Sequence, residues 1–229
     1  MSRILYEDPH SIRYRLRSRR FAKVAQMVEE LASSAGTVRI LDLGGTRRYW
    51  EILGEPIEKF SHHVTILNRE RVSTAGPADD RFTIVAGDAC DVHFSDNSFD
   101  LIHSNSLIEH VGDWGRMVAA GEEIRRLAPS YYVQVPYFWL PYEPHFQTLF
   151  FHWLPEQVRA RLLMRFALGH YEKCSTMTQA MNFVQSARLL DKAQIAELLP
   201  DAETTFEKVL GVPKSIIAIR HGIPYDSGA

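Results

Sequence analysis

The sequence predicts an α/β fold, a mostly parallel sheet with helices on both faces, followed by an aromatic-rich segment that breaks the rhythm. Three observations carry this expectation. Short β-branched runs alternate with helical or connecting segments from residue 38 to residue 135, the pattern of successive strand-helix-strand units. The first of these runs is apolar almost throughout, as a strand buried on both faces is. Several runs end on glycine or small polar residues, at the sheet edge where such folds bind their ligands.

Taken in order, Ser11 to Ala32 has apolar residues at Ile12, Leu16, Val24, Met27, Val28 and Leu31, the spacing of a helix with one buried face. Ser33, Ser34 and Gly36 end it. Val38 to Leu43 is the first strand and breaks at Gly44-Gly45. Tyr49 to Phe60 is a weak helix interrupted by Gly54 and Pro56. His63 to Leu67 is the second strand, a turn region spans Ser73 to Asp80, and Arg81 to Ala86 is the third strand, closed by Gly87-Asp88. Phe99 to His103 is the fourth, Trp114 to Leu127 a helix, and Tyr131 to Val135 the fifth strand, stopped by Pro136. Arg188 to Leu199 reads as a helix with Asp191 as N-cap. Thr204 to Leu210 and Ser215 to Arg220 then form two strands around a Gly211-Val212-Pro213 turn, which makes seven in all.

The 229 residues, 45% hydrophobic and 24% charged, suit one domain with appended helices. Its parts are an N-terminal helix (11–33), a core (38–135), an aromatic insertion (136–187), and a final helix and strand pair (188–221). A net charge of −2 gives no global reason to expect nucleic acid. Locally, Arg13, Arg15, Arg17, Arg19, Arg20 and Lys23 form a basic stretch, read either as a solvated helix face or as a holder of phosphate or an anionic surface. Cys90 and Cys174 are far apart, so neither a disulfide framework nor a zinc site is expected, and no metal is assigned. The N-terminus MSRILYEDPH has no apolar core, and no run is long enough to span a membrane. A soluble, cytoplasmic protein is expected, with a homodimer open.

The strand ends carry the functional signal. Gly44-Gly45 lets a ligand approach the backbone, and Asp42 shares that end. Asn68 follows the second strand, Asp88 the third and Ser104-Asn105 the fourth. Their oxygens suit a ribose hydroxyl and an adenine amine. Each alone is equally a turn former or cap. The constellation is what a purely structural sheet would not need.

With these residues in view, ILDLGGT, VTILN and VAGDACDVHFSDNSFDLIHSNSLIEHV resemble the ordered signature of the class I, Rossmann-like methyltransferases, in particular the type 11 small-molecule group. The resemblance covers roughly Val38 to Val135. It implies S-adenosylmethionine as cofactor, with Asp42, Gly44 and Gly45 at its methionine part, Asn68 at the ribose, Asp88 and the Ala89 backbone at the adenine, and Ser104 and Asn105 lining cofactor and acceptor. Three positions depart from the family pattern: Thr46 and Arg48 stand where it has glycines, Asn68 where it has an acid, and Ala128-Pro129-Ser130 where Gly-Gly often precedes strand five. A nicotinamide dehydrogenase would show a fuller G-x-G-x-x-G and an acid about 20 residues on.

Methyl transfer to oxygen gains from a base, and histidine suits that task near neutral pH. His110, in the E-H-V triplet, and His145, in PYEPHF with Glu143 beside it, are the candidates. The insertion, rich in Tyr, Phe and Trp, reads as an acceptor pocket or as a helical subdomain with its own core. Its phrase VQVPYFWLPYEPHF resembles type 11 enzymes of sugar tailoring. The expected function is O-methylation of a small molecule. The other reading is a methyltransferase-like binding or scaffold protein.

Overall fold

In the computed structural model, which describes residues 10–70 and 79–222, the sheet grows outward on both sides from β1 (Val38–Leu43). Val38, Ile40, Leu41 and Leu43 are all buried, so both faces of β1 are covered, as a strand without polar alternation requires. β2 (His62–Asn68) and β4 (Leu101–Asn105) flank it in parallel, and β3 (Phe82–Ala86) adds beyond β2. β5 (Ser130–Pro136) follows. A separate antiparallel ladder pairs the two-residue strands β6 (Tyr142–Glu143) and β7 (Thr148–Leu149). With β8 (Glu203–Val209) and β9 (Val212–Arg220) the seven-stranded order is β3-β2-β1-β4-β5-β9-β8. The order reverses between β1 and β4, and in open α/β sheets ligands bind beyond the carboxyl ends at such a switch.

The register fixes what meets there. Asp42 lies opposite His103 and Leu43 opposite Ser104 in the β1–β4 ladder. The fourth strand starts two residues later than the sequence suggests. Asp100 is buried, and its carboxylate accepts the Arg39 backbone N–H at 2.7 Å and the Arg39 guanidinium at 2.8 Å. That side-chain pairing takes the place of a ladder bond, so the regular strand begins at Leu101.

α1 (Ile12–Ala35) starts where Ser11 accepts the Tyr14 N–H, and it buries Leu16, Phe21, Val24, Met27, Val28 and Leu31. α2 (Arg47–Leu53) is shorter than the predicted Tyr49 to Phe60. Thr46 caps it and Gly54 ends it, at a place where a Cβ would overlap the Trp50 carbonyl. Glu55–Ile57 continues as one 3-10 turn with Pro56 inside it. α3 (Trp114–Leu127) has the predicted bounds. The Ser73 to Asp80 turn falls mostly outside the described residues.

Past β5 come α4 (Glu156–Arg165), α5 (Met177–Gln185) and α6 (Lys192–Leu198). Phe146, Phe151, Ala160, Leu163, Cys174, Ala180 and Val184 form a buried cluster there, so the insertion has a core of its own. Trp139, Phe150 and Trp153 stay exposed. α6 begins at Lys192 rather than Arg188 because Asp191 and Gln194 close a reciprocal capping box, while Leu190 is held extended by a bridge to Tyr137. The final hairpin turns at Leu210-Gly211, with φ of 50° and 83°. Two consecutive positive φ values make the tight turn that fits strand twist. The predicted turn included Pro213, whose ring forbids that conformation.

Contacts divide the chain into two compact units: Met1–Asn105 with Glu123–Val133 and Ile219–Ala229, and Ser106–Glu122 with Gln134–Ala218. Among the described residues no helix is long and apolar enough to cross a membrane. Both cysteines are free thiols.

Candidate functional site

In the first unit, Gly44 follows β1 with φ of 76°, and its N–H donates to the Leu67 carbonyl of β2 at 2.9 Å. That conformation favours glycine. Gly45 is constrained differently, since a Cβ there would overlap the Asp42 carboxylate. Thr46, at a family glycine position, accepts the Tyr49 N–H at 3.3 Å and caps α2. Arg48, at the next, is exposed and pairs with Glu51 at 3.5 Å.

Asp42 is wholly buried. Its Oδ2 accepts the Trp50 indole N–H at 2.7 Å and its Oδ1 accepts His103 Nδ1 at 2.7 Å. A carboxylate only accepts, so His103 carries its proton on Nδ1 and leaves Nε2 as an acceptor. The Tyr49 hydroxyl lies 3.4 Å from that nitrogen. Burial first, and then the Asp42 charge, hold the Tyr49 phenol well above its ordinary pKa, so it remains a donor. The His103 ring lies between Tyr49 and Tyr132, with centroids at 5.2 and 5.8 Å. Asp42 is thus committed to an internal network beneath the glycine turn. His103, Tyr49 and Trp50 were not singled out from sequence. The available signal was that His103 falls in phase with buried Leu101 on the strand.

Asn68 donates its side-chain N–H to the Gly45 carbonyl at 2.9 Å. With its N–H on that carbonyl, the amide has its oxygen as the remaining acceptor. An acid at this position would set carboxylate against carbonyl, which explains the departure from the family pattern. Asp88 accepts the Cys90 N–H at 3.0 Å in an Asx turn, and Ala89 is buried beside it. Ser104 is buried, and its hydroxyl has no hydrogen-bond partner among the described residues. The Asn105 side-chain oxygen accepts from Arg20 at 2.9 Å. Arg20, on the inner side of α1, is 8% exposed. The basic stretch is therefore divided, with Arg15, Arg19 and Lys23 exposed.

The second unit brings together the other candidates. His145 Nδ1 lies 2.7 Å from Glu143 Oε1, and the Phe146 N–H donates to the other oxygen of Glu143. His110 Nδ1 lies 2.7 Å from the Ser186 carbonyl, and the Nε2 atoms of His110 and His145 stand 3.2 Å apart. Glu109 is 1% exposed, and neither of its oxygens has a hydrogen-bond partner among the described residues. The neighbouring Ser106 hydroxyl donates to Gln134 at 3.2 Å and also lies close enough to Glu109 to favour its charged form. Desolvation pushes the Glu109 carboxyl up to about 7. Desolvation also lowers His110. For His145 desolvation acts downward, but the Glu143 bond and the charges of Glu143 and Glu109 outweigh it, and the net shift is upward.

The same unit holds a cavity of about 220 Å³. Phe138, Phe146 and Trp114 give it apolar wall, and Glu143, Glu156, Arg159 and Arg188 give it charge. The Arg159 Nε is buried without a hydrogen-bond partner, although its Nη2 reaches Glu156 at 3.9 Å. Neither Arg159 nor Arg188 is distinguishable from a solvated arginine by sequence pattern.

The profile of the type 11 methyltransferase domain family matches residues 54–129. No curated protein sequence matches the chain. Among solved structures the chain resembles magnesium protoporphyrin IX methyltransferase from Synechocystis PCC 6803 with bound SAH, at 14% identity and a TM-score of 0.53, over 95% of this chain and 92% of that one. It also resembles a SAM-dependent methyltransferase from Methanosarcina mazei, at 13% identity and a TM-score of 0.52, over 87% of this chain and 98% of that one. Likenesses at this identity establish the fold.

Proposed function

We propose that the chain is a class I methyltransferase that draws its methyl group from S-adenosylmethionine and delivers that group to an oxygen of a small polar acceptor. One observation carries the cofactor side: four consecutive parallel strand ends in one unit each present a group suited to one part of the donor. The Gly44-Gly45 backbone would hold the methionine part, and the Asn68 oxygen would accept from the ribose hydroxyls. Asp88 with the Ala89 backbone would take the adenine amine. The buried, unpartnered Ser104 hydroxyl and Asn105 would complete the lining. Asp42 acts in this reading as a positioning residue, because both its oxygens are already engaged. When bound, the donor supplies a methyl group on a positively charged sulfur.

On the acceptor side the residues orient and move a proton. Arg159 and Arg188 would hold an anionic or carbonyl group in the cavity, since a buried guanidinium N–H without a partner favours an oxygen acceptor. Glu143, His145 and His110 would manage the hydroxyl proton that must leave as the new bond forms. Holding two reactants aligned and dry supplies several kcal/mol of such a barrier. Thr46, Arg48 and Asn68 each have a structural task here, so their departures do not require a scaffold that has lost turnover. Two unbonded cysteines suit a reducing compartment such as the cytoplasm.

Calorimetry with S-adenosylmethionine and S-adenosylhomocysteine tests the cofactor side. Micromolar binding is expected, with Gly44→Val and Asp88→Ala each weakening it about tenfold or more, as loss of a close backbone approach or of a buried bond does. No binding at millimolar concentration would overturn the enzyme reading. Unchanged affinity in both variants would overturn the site.

A further inference from the structure

We propose that Glu109, His110 and His145 form a binding site for a divalent transition cation of the zinc class. One oxygen of Glu109 and one nitrogen of each histidine lie within 4.8 Å of one another. The hydrogen bonds dictate which nitrogens these are. Ser186 offers His110 Nδ1 a carbonyl oxygen and Glu143 offers His145 Nδ1 a carboxylate oxygen, each at 2.7 Å. Both partners only accept, so both Nδ1 atoms carry protons. In the neutral rings the two Nε2 lone pairs therefore face each other across 3.2 Å, an arrangement that repels unless a proton or a metal cation sits between them.

A cation resolves it. Two imidazole nitrogens bound to one tetrahedral zinc at about 2.05 Å stand roughly 3.3 Å apart, which matches the observed separation, and the Glu109 oxygen, within 4.8 Å, would draw inward to complete the set. Glu109 supplies a second, independent sign. It is 1% exposed, and neither oxygen makes a well-formed hydrogen bond among the described residues, although the Ser106 hydroxyl and its own N–H lie close enough to favour its charged form. A carboxylate buried this way is costly unless it is protonated, paired or bound to a metal. The outer contacts suit the same task. A ligand histidine ordinarily donates its other N–H to a carboxylate or a carbonyl, which fixes ring and tautomer, and here one histidine has each. Glu143 is held in turn by the Phe146 N–H.

The donor set selects the ion. Two imidazoles and one carboxylate favour zinc and its transition-metal neighbours over magnesium, which prefers oxygen ligands and retained water. Three protein ligands leave a coordination position open. His110 is exposed, so an ion can enter from solvent. That an acceptor oxygen takes the open position rests on the methyl-transfer reading, and there the bound ion, in place of a free imidazole, would favour loss of the hydroxyl proton; the binding of the ion itself does not rest on that reading. No cysteine takes part, which is why cysteine spacing gave no hint of a metal.

The test uses the full chain stripped with a chelator, without methyl donor or acceptor. Titration with zinc chloride near pH 7.5, followed by calorimetry, should show one equivalent bound. Glu109→Gln, His145→Gln and His110→Gln should each weaken binding about tenfold or more, and excess magnesium should not compete. Cobalt should give the visible absorption of a low-coordinate nitrogen and oxygen site. Unfolding curves of the metal-free variants establish that each is folded. Glu109→Gln removes a buried charge and keeps the side-chain shape, so it serves if a histidine variant fails to fold. Absence of stoichiometric zinc binding, or wild-type affinity in folded Glu109→Gln, would overturn the proposal. S-adenosylhomocysteine affinity measured on the same samples separates the two readings. Zinc bound without the nucleoside refutes the methyl-transfer reading alone, and the nucleoside bound without zinc refutes the metal site alone.

Discussion

Replacing Asp42 by leucine should destabilise the protein more than replacing it by asparagine, and the hydrogen-bond network beneath the glycine turn gives the sizes. Asp42 is 0% exposed and accepts two N–H bonds, from Trp50 and His103, each 2.7 Å long. Leucine is close in shape and removes both acceptors. Each orphaned buried donor costs about 1–3 kcal/mol, so Asp42→Leu should cost about 4 kcal/mol. Asparagine keeps one oxygen for Trp50. Its amide N–H would then face His103, which can move its proton to Nε2 and accept at Nδ1, with the Tyr49 oxygen accepting in turn. Asp42→Asn should therefore cost about half as much, roughly 2 kcal/mol. Urea unfolding followed by tryptophan fluorescence and circular dichroism measures both. Trp50→Phe adds a coupling test, since its cost should shrink in the Asp42→Leu background, where the acceptor is already gone and the indole N–H is orphaned. Equal costs for the two Asp42 variants, both under about 1 kcal/mol, would refute the network as a determinant of stability.

Gly45→Ala places a methyl group on the Asp42 carboxylate and should cost about 1–3 kcal/mol while weakening S-adenosylhomocysteine binding in calorimetry. Thr46→Ala should lose about 1 kcal/mol of stability and Thr46→Gly only a few tenths, because Thr46 acts here as a cap; urea titration separates them. Glu109 gives a pH dependence with a definite sign. Its folded pKa is raised from 4.5 to about 7, so the neutral form contributes stability that is fully present below about pH 4.5 and lost as pH rises through about 7, a total of about 3 kcal/mol. Metal-free wild type should fall relative to Glu109→Gln between pH 5 and pH 8, and parallel curves would refute the assignment. Leu210, 100% exposed with φ of 50°, should gain about 1 kcal/mol on replacement by glycine, read as a rise in Tm.

Much of the scaffold was legible because its causes are local. β1 was bounded to the residue by an apolar run ending on two glycines, and α3 by its apolar spacing. The misplaced boundaries share a cause as well. Asp100, Thr46 and Leu190 each form one specific long-range or capping contact that overrides the local pattern. Gly44, Asn68, Asp88 and Ser104, which the methyl-transfer reading assigns to the cofactor, stand at strand ends as their sequence context predicts. Asp42 shares the end of β1, but its commitment to Trp50 and His103 was not legible, because partners 8 and 61 positions away leave no trace in spacing.

The glycine turn after β1 and the polar groups at the ends of β2, β3 and β4 were thus set by the sequence itself, since strand length, φ preference and turn chemistry depend on neighbours in the chain. Tertiary structure alone decided the rest. It turned Asp42 inward, oriented Asn68 against Gly45, left the Ser104 hydroxyl and the Glu109 carboxylate buried, and brought His110 to His145 across 35 positions. Those outcomes depend on which side chains meet when distant segments pack, and on which hydrogen-bond partners remain once water is excluded.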